Sequence, residues 1–281
     1  MSLLQPLLDH LPGFLVDVLR LCGWLVLLTV IFLPLERWFA VRKAAPQRHD
    51  LFADLAYYFI NSLLPAFALA LPLAFLAGAA RYLLPAALPA FMAELPLVAK
   101  MLLAFVIGEI GYYWGHRLSH ELPWLWRFHA VHHSAEHMYF LVNTRAHPVD
   151  MVVTRLFSMA PLYAIGLAGA TAAGSVTPAL LVVLGTLWGF FIHSNFRVRI
   201  PGFEWIISTP LFHHWHHTRV DHINRNYASM LPLVDRLFGT LHLPSAWPAD
   251  YGIEAATPKT LRGQLLDPIF PGAATENRSQ A

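Results

Sequence analysis

Between Arg155 and Arg197 the chain carries no aspartate, glutamate, lysine or arginine. A surface folded in water needs polar and charged side chains at frequent intervals, so a stretch of this kind has no place on a soluble domain. It is too long for one crossing of the bilayer, which takes about 20 residues, and Gly166, Gly169, Gly174 and Pro178 interrupt its middle. A helical membrane hairpin is expected, outward over residues 151–170 and back over 179–192. Composition agrees: 57% of the 281 residues are hydrophobic and 13% are charged, where soluble domains average about 25% charged.

Three further apolar stretches follow the same logic. Residues 14–35 hold only Asp17 and Arg20, near one end, and no lysine or arginine precedes Arg20. The basic start of a cleaved signal peptide is therefore missing, and the segment is expected to remain as an anchor. Arg37, Arg42, Lys43 and Arg48 then crowd one short loop, which places that loop in the cytoplasm and the amino terminus outside. Residues 51–80 contain Pro65 and Pro72, which kink a helix or allow a re-entrant turn. After a proline-rich connector over 81–96, expected on the outer side, a third span over 97–114 delivers His116 to the cytoplasmic surface. Arg197, Arg199, Arg219, Arg225 and Arg236 put the remainder on that same side. The expected fold is all-α, a polytopic membrane bundle with a cytoplasmic histidine-rich helical cap. Its parts are an anchor region over 1–96, a metal-binding domain over 97–244 and a polar tail over 245–281.

Charge and cysteine content narrow the chemistry. A formal net charge of +2 does not make a nucleic-acid-binding face. The single cysteine, Cys22, excludes an intrachain disulfide and a thiolate cluster, so a metal must take nitrogen or oxygen ligands. Histidine is the outlier: twelve of the 16 lie between His116 and His217. His116 and His120 share one helical face; His129, His132 and His133 fall within an arc of about 100°, and His213, His216 and His217 repeat that spacing. One triplet is as easily a solvated polar face. Two triplets and a pair, with a membrane hairpin between the triplets, point to metal. Eight imidazoles exceed the three or four protein ligands of one zinc site, and His193 at the end of the returning span offers a ninth, so two ions are expected. All-imidazole ligation suits zinc, copper, iron or nickel.

The order HxxxH, HxxHH, HxxHH around a hairpin resembles the fatty acid hydroxylase superfamily, which includes sterol desaturases (C4-methylsterol oxidase among them) and alkylglycerol monooxygenase. The likeness extends to Tyr112-Tyr-Trp-Gly-His116, Leu125-Trp-Arg-Phe-His129, Arg145-Ala-His147-Pro148, Asn226-Tyr-Ala and Asp235-Arg-Leu-Phe-Gly-Thr240, covering residues 97–244. It implies an integral-membrane, non-haem di-iron oxygenase that hydroxylates or desaturates a lipid with O2 and external electrons, zinc being the main substitute metal. It implies ligands at His116, His120, His129, His132, His133, His193, His213, His216 and His217, with His147 as a ligand or an orienting group. His137, His214 and His222 are expected to support the site or lie on the surface. Glu109, two turns before His116, is expected to orient a histidine, and Asp221, Asn224 and Asn226 to brace the second triplet. With no cytochrome or flavin motif visible, electrons are expected from a ferredoxin, cytochrome or reductase docking near Arg117, Arg127, Arg219 and Arg225. The expected setting is a bacterial inner membrane with the metals on its cytoplasmic face. The rival readings are a zinc-dependent membrane lipid hydrolase, with metal-bound water as nucleophile, and a metal transporter or sensor, which would place ligands near the bilayer midplane.

Overall fold

The computed structural model describes residues 11–43, 48–168 and 172–271. Among them every regular element is helical, and the only β-type contacts are two isolated bridges. Three helices are long and apolar enough to cross a membrane. α1, Gly13–Trp38, and α2, Arg48–Leu83, are joined through α3, Ala87–Glu94, to α4, Leu97–Glu121. α1 is apolar on every side and buries only Val16, Leu28 and Phe32, as suits a helix whose solvent is hydrocarbon. α2 runs unbroken past Pro65 and Pro72, so neither proline makes a re-entrant turn. The connector expected over 81–96 contains the short helix α3.

Apart from His116 and His120 on α4, the histidines of the site are placed by shorter helices, most of which start with proline. α5 is Pro123–His133, α6 Pro148–Ala164, α8 Pro210–His216 and α9 Pro232–Leu237, each with proline in its first turn. There the missing N–H costs nothing and the fixed φ suits a helix. α7, Ala172–His193, ends on His193, and α10, Leu261–Leu266, closes the described chain. α6, where the outward arm of a hairpin is expected, begins three residues earlier than that expectation, because His147 caps it: its side chain accepts from the Val149 N–H. It ends at Ala164 because the chain turns at Gly166, whose φ is +81°. At 17 residues α6 is shorter than a full span.

α4 and α6 approach backbone to backbone. A Cβ on Gly111 would lie 2.3 Å from the Phe157 carbonyl oxygen, and one on Gly115 would lie 2.8 Å from Phe157 Cβ. Small residues at helical spacing are how membrane helices pack closely where lipid supplies no hydrophobic drive. α2 is bound to the turn Phe140–Thr144 by a buried ion pair: Arg145 Nε and Nη2 lie 2.6 and 2.9 Å from the Asp54 carboxylate, which Tyr139 also engages. Asn61 Nδ2 donates to the Thr144 and Ala146 carbonyls at 3.0 and 2.8 Å. α2, within the anchor region expected over 1–96, is thus hydrogen-bonded to the histidine-bearing half. The tail packs on that half as well. Arg42 reaches the Pro248 and Ala249 carbonyls, Arg199 the Ser245 carbonyl, and Tyr251 pairs with Thr218.

Candidate metal centre

Nine buried imidazoles converge where α4, α5, α7 and α8 end. They form two groups within each of which the candidate ligand atoms all lie within 4.8 Å of one another: His116, His120, His129, His133 and His216 in one, His132, His193, His213 and His217 in the other. The groups adjoin, with the His133 and His217 rings stacked at 4.5 Å. Each HxxHH triplet is divided. His129 and His133 face the first group while His132 faces the second, and His216 faces the first while His213 and His217 face the second.

The donor atoms fit metal ions. Nε2 atoms approach one another at 3.1 Å between His116 and His129 and between His133 and His216. In the other group the separations are 3.2 Å for His132 and His193, 2.8 Å for His193 and His213, and 3.1 Å for His213 and His217. With metal–nitrogen bonds of about 2.1 Å, neighbouring ligands on one ion stand about 3 Å apart. His120 Nε2 is buried without a hydrogen-bond partner.

Six of the nine outward nitrogens are held by oxygen, while Nδ1 of His133, His213 and His217 has no partner among the described residues. Nδ1–H of His116 donates to the Tyr227 carbonyl at 2.7 Å, that of His132 to Arg145 at 2.9 Å, that of His193 to Gly189 at 2.7 Å and that of His216 to Arg225 at 2.7 Å. His120 Nδ1 donates to Asn224 Oδ1 at 3.2 Å, and His129 Nδ1 to Asp150 Oδ2 at 2.9 Å. Each of these bonds puts the proton on Nδ1 and leaves the Nε2 lone pair pointing into the group, the arrangement that orients metal-bound histidine. Burial, reinforced by the neighbouring His129 imidazole, pulls His132 down to about 3; burial and adjacent imidazoles likewise hold His213, His216 and His217 well below the usual histidine range. They are therefore neutral at physiological pH, the form in which imidazole binds a metal.

Several expected supporting residues stand elsewhere. Glu109 touches no imidazole; its Oε2 accepts from the backbone N–H groups of Met230 and Leu231 at 2.8 and 3.1 Å and so holds the turn into α9. Asp221 is exposed and contacts none of the nine. Asn226, in the left-handed region at φ +58°, donates to the Phe212 carbonyl at 2.8 Å and so supports α8 one residue before His213. Asn224 braces His120 rather than the second triplet. His147 lies outside both groups, with Nδ1 accepting from Val149 and Nε2 donating to the Leu265 carbonyl at 3.1 Å. His214 is buried against Tyr251 and Ser194, His222 and His242 stack on each other, and His10 falls outside the described residues. Asp150 is the supporting residue that the sequence did not single out, although it stands two residues past Pro148 in a recognisable block.

An apolar cavity of about 1260 Å³ opens on these imidazoles, with His129, His132, His193 and His213 in its wall. Leu69, Leu73 and Ala77 of α2 and Leu162 of α6 line it. On α2 its lining extends from Ser62 to Arg81, about 28 Å at the helical rise.

Membrane-length helices and two oriented all-imidazole groups at the mouth of an apolar cavity describe a membrane protein with a metal-binding site. Residues 101–240 match the family model described as fatty acid hydroxylase, and the chain carries a domain of that family. It is 34% identical over 174 residues to ornithine lipid hydroxylase OlsE of Rhizobium tropici, covering 60% of this chain and 50% of that protein. It is 36% identical over 155 residues to alkylglycerol monooxygenase of Danio rerio (54% of this chain, 32% of that one), and 30% identical over 150 residues to methylsterol monooxygenase 2-2 of Arabidopsis thaliana (50% and 52%). The matches thus span about half of the curated relatives' length or less. No solved structure matches the chain.

Proposed function

We propose that the nine histidines hold two iron ions and that the chain is an integral-membrane oxygenase, hydroxylating or desaturating a lipid with O2 and external electrons. The observation that carries this reading is the opening of both imidazole groups on one long apolar cavity. Two irons held there would supply reductive activation of O2 and attack on an unactivated C–H bond. The cavity wall excludes water and lays a lipid chain against the ions. Asp150 and the carbonyls behind the imidazoles keep the ligand nitrogens aimed. The relatives are named for an ornithine lipid, an alkylglycerol and a methylsterol, which supports a lipid and leaves its headgroup open.

On this reading the histidine half, residues 97–244, works with α2 and the tail as one unit, and the metals face the cytoplasm of a bacterial inner membrane. A ferredoxin, cytochrome or reductase brings electrons to the face that carries Arg117, Arg127, Arg219 and Arg225. The test is metal analysis of protein purified without oxygen or chelator, followed by lipid product analysis under O2 and reductant. About two irons per chain and an oxygenated or unsaturated lipid are expected. Zinc-loaded protein that cleaves a lipid ester without O2 or reductant would replace this reading with the hydrolase.

A further inference from the structure

Five arginines in the described chain are not exposed: Arg42, Arg117, Arg145, Arg155 and Arg219. Four of them are engaged. Arg42 donates to the Pro248 and Ala249 carbonyls, Arg117 to Glu121 at 2.7 Å, Arg145 to Asp54 at 2.6 Å, and Arg219 to the Tyr251 carbonyl at 3.1 Å. Arg155 makes no hydrogen bond, ion pair or cation–π contact among the described residues, yet it lines the apolar cavity. An unpaired cation in a largely apolar wall is costly. It is satisfied when an anion enters the cavity.

Its place on α6 says where that anion would lie. Met151, Thr154, Arg155, Ser158 and Leu162 all face the cavity, the i, i+3, i+4, i+7 stripe of one helical face. Arg155 stands five residues beyond Asp150, about 7.5 Å along the helix axis, and Asp150 is bonded to His129. Tyr112 lines the same cavity, with its ring 5.4 Å from that of His116. The Tyr112 hydroxyl donates to no described residue. A cation and a free phenol hydroxyl thus sit close to the imidazoles, with the longer apolar length, past Leu69, Leu73 and Leu162, leading away from them.

We propose that the substrate is an acidic lipid whose carboxylate or phosphate is held by Arg155, assisted by Tyr112, with its hydrocarbon chain in the cavity beyond. This rests on the lipid oxygenase reading and adds the headgroup class. Guanidinium matches carboxylate and phosphate with paired N–H donors. The oxidised carbon then lies at the acidic end of the lipid and not near the chain terminus.

The experiment is equilibrium binding to the full metal-loaded chain in neutral detergent. Palmitic acid is set against its methyl ester and phosphatidic acid against diacylglycerol, with inorganic phosphate as a separate ligand. The acids are expected to bind at least about tenfold tighter than their neutral partners, about 1.4 kcal/mol. R155Q erases that preference, and R155K, which keeps the charge, retains most of it. Equal binding of acid and ester by the wild-type chain overturns the proposal without reference to any variant. So does an undiminished preference in R155Q, or inorganic phosphate binding as tightly as phosphatidic acid, which makes the site one for a free anion. Failure of the parent reading is separate: an iron-loaded wild-type chain that oxidises no lipid under O2 removes the oxygenase, whereas oxidation of neutral and acidic lipids alike leaves the oxygenase and removes the role of Arg155.

Discussion

Asp150 Oδ2 lies 2.9 Å from Nδ1 of His129, and both side chains are almost wholly buried. The carboxylate sets negative charge behind one imidazole of the five-histidine group and fixes its tautomer. D150A is expected to weaken metal binding by about 10–100-fold, with D150N between it and wild type. A metal titration of the purified variants measures this, and unchanged affinity in D150A would show that the pair is only a packing contact.

The division of the triplets separates the two groups experimentally. H193A removes a nitrogen from the four-histidine group alone, so metal content should fall toward one ion per chain with the five-histidine group still loaded. H133A should do the converse. H147A should keep both ions, because its nitrogens are already bonded to Val149 and Leu265. Loss of both ions from H147A would enlarge the ligand set.

Spacing made the histidine-bearing helices legible, but not how their rings are shared. An arc of about 100° looks like one direction on a helical wheel, yet it is wide enough for His132 to face one histidine group while His129 and His133 face the other. The braces were hidden for another reason. Tyr227, Arg145, Gly189 and Arg225 serve through backbone carbonyls, and a carbonyl leaves no mark in residue identity. Glu109 was misplaced because its shared stripe with His116 records only their common helix. The turn before α9, which that stripe also meets, is more than a hundred residues away in sequence.

The contact between α4 and α6 offers a stability test. G111A would drive a methyl group to 2.3 Å from the Phe157 carbonyl oxygen, whereas a methyl on Gly23 of α1 meets nothing within 4 Å. G111A is expected to cost about 1–3 kcal/mol or more and to lower the thermal midpoint in detergent. G23A should leave it unchanged or slightly raised. Equal midpoints for the two variants would contradict the close approach.

Breaking the Arg145–Asp54 pair should be expensive, because Asp54 is fully buried. R145M leaves that carboxylate without its cation and with only the Tyr139 hydroxyl as a side-chain partner, with an expected loss of about 3–5 kcal/mol. Replacing both residues by apolar ones of similar volume should recover much of the loss, which a double-mutant cycle on chemical unfolding would read.

Cavity length can be probed from α7. Gly185 lines the cavity, and a Cβ there meets nothing within 4 Å. G185F is expected to fill the channel, raising KM for long-chain lipids while sparing shorter ones and leaving metal content intact. An identical chain-length profile would mean that lipid lies elsewhere.

The five-histidine group takes His116, His120, His129 and His133 from α4 and α5 and only His216 from α8, whereas the four-histidine group has only His132 before α7 and α8 arrive. The order of synthesis is therefore an order of assembly. A nascent chain that has emerged as far as α5 already presents four nitrogens of the first group and one of the second. The ribosome thus delivers the two histidine groups in sequence, the first nearly whole while the second still waits for α7 and α8.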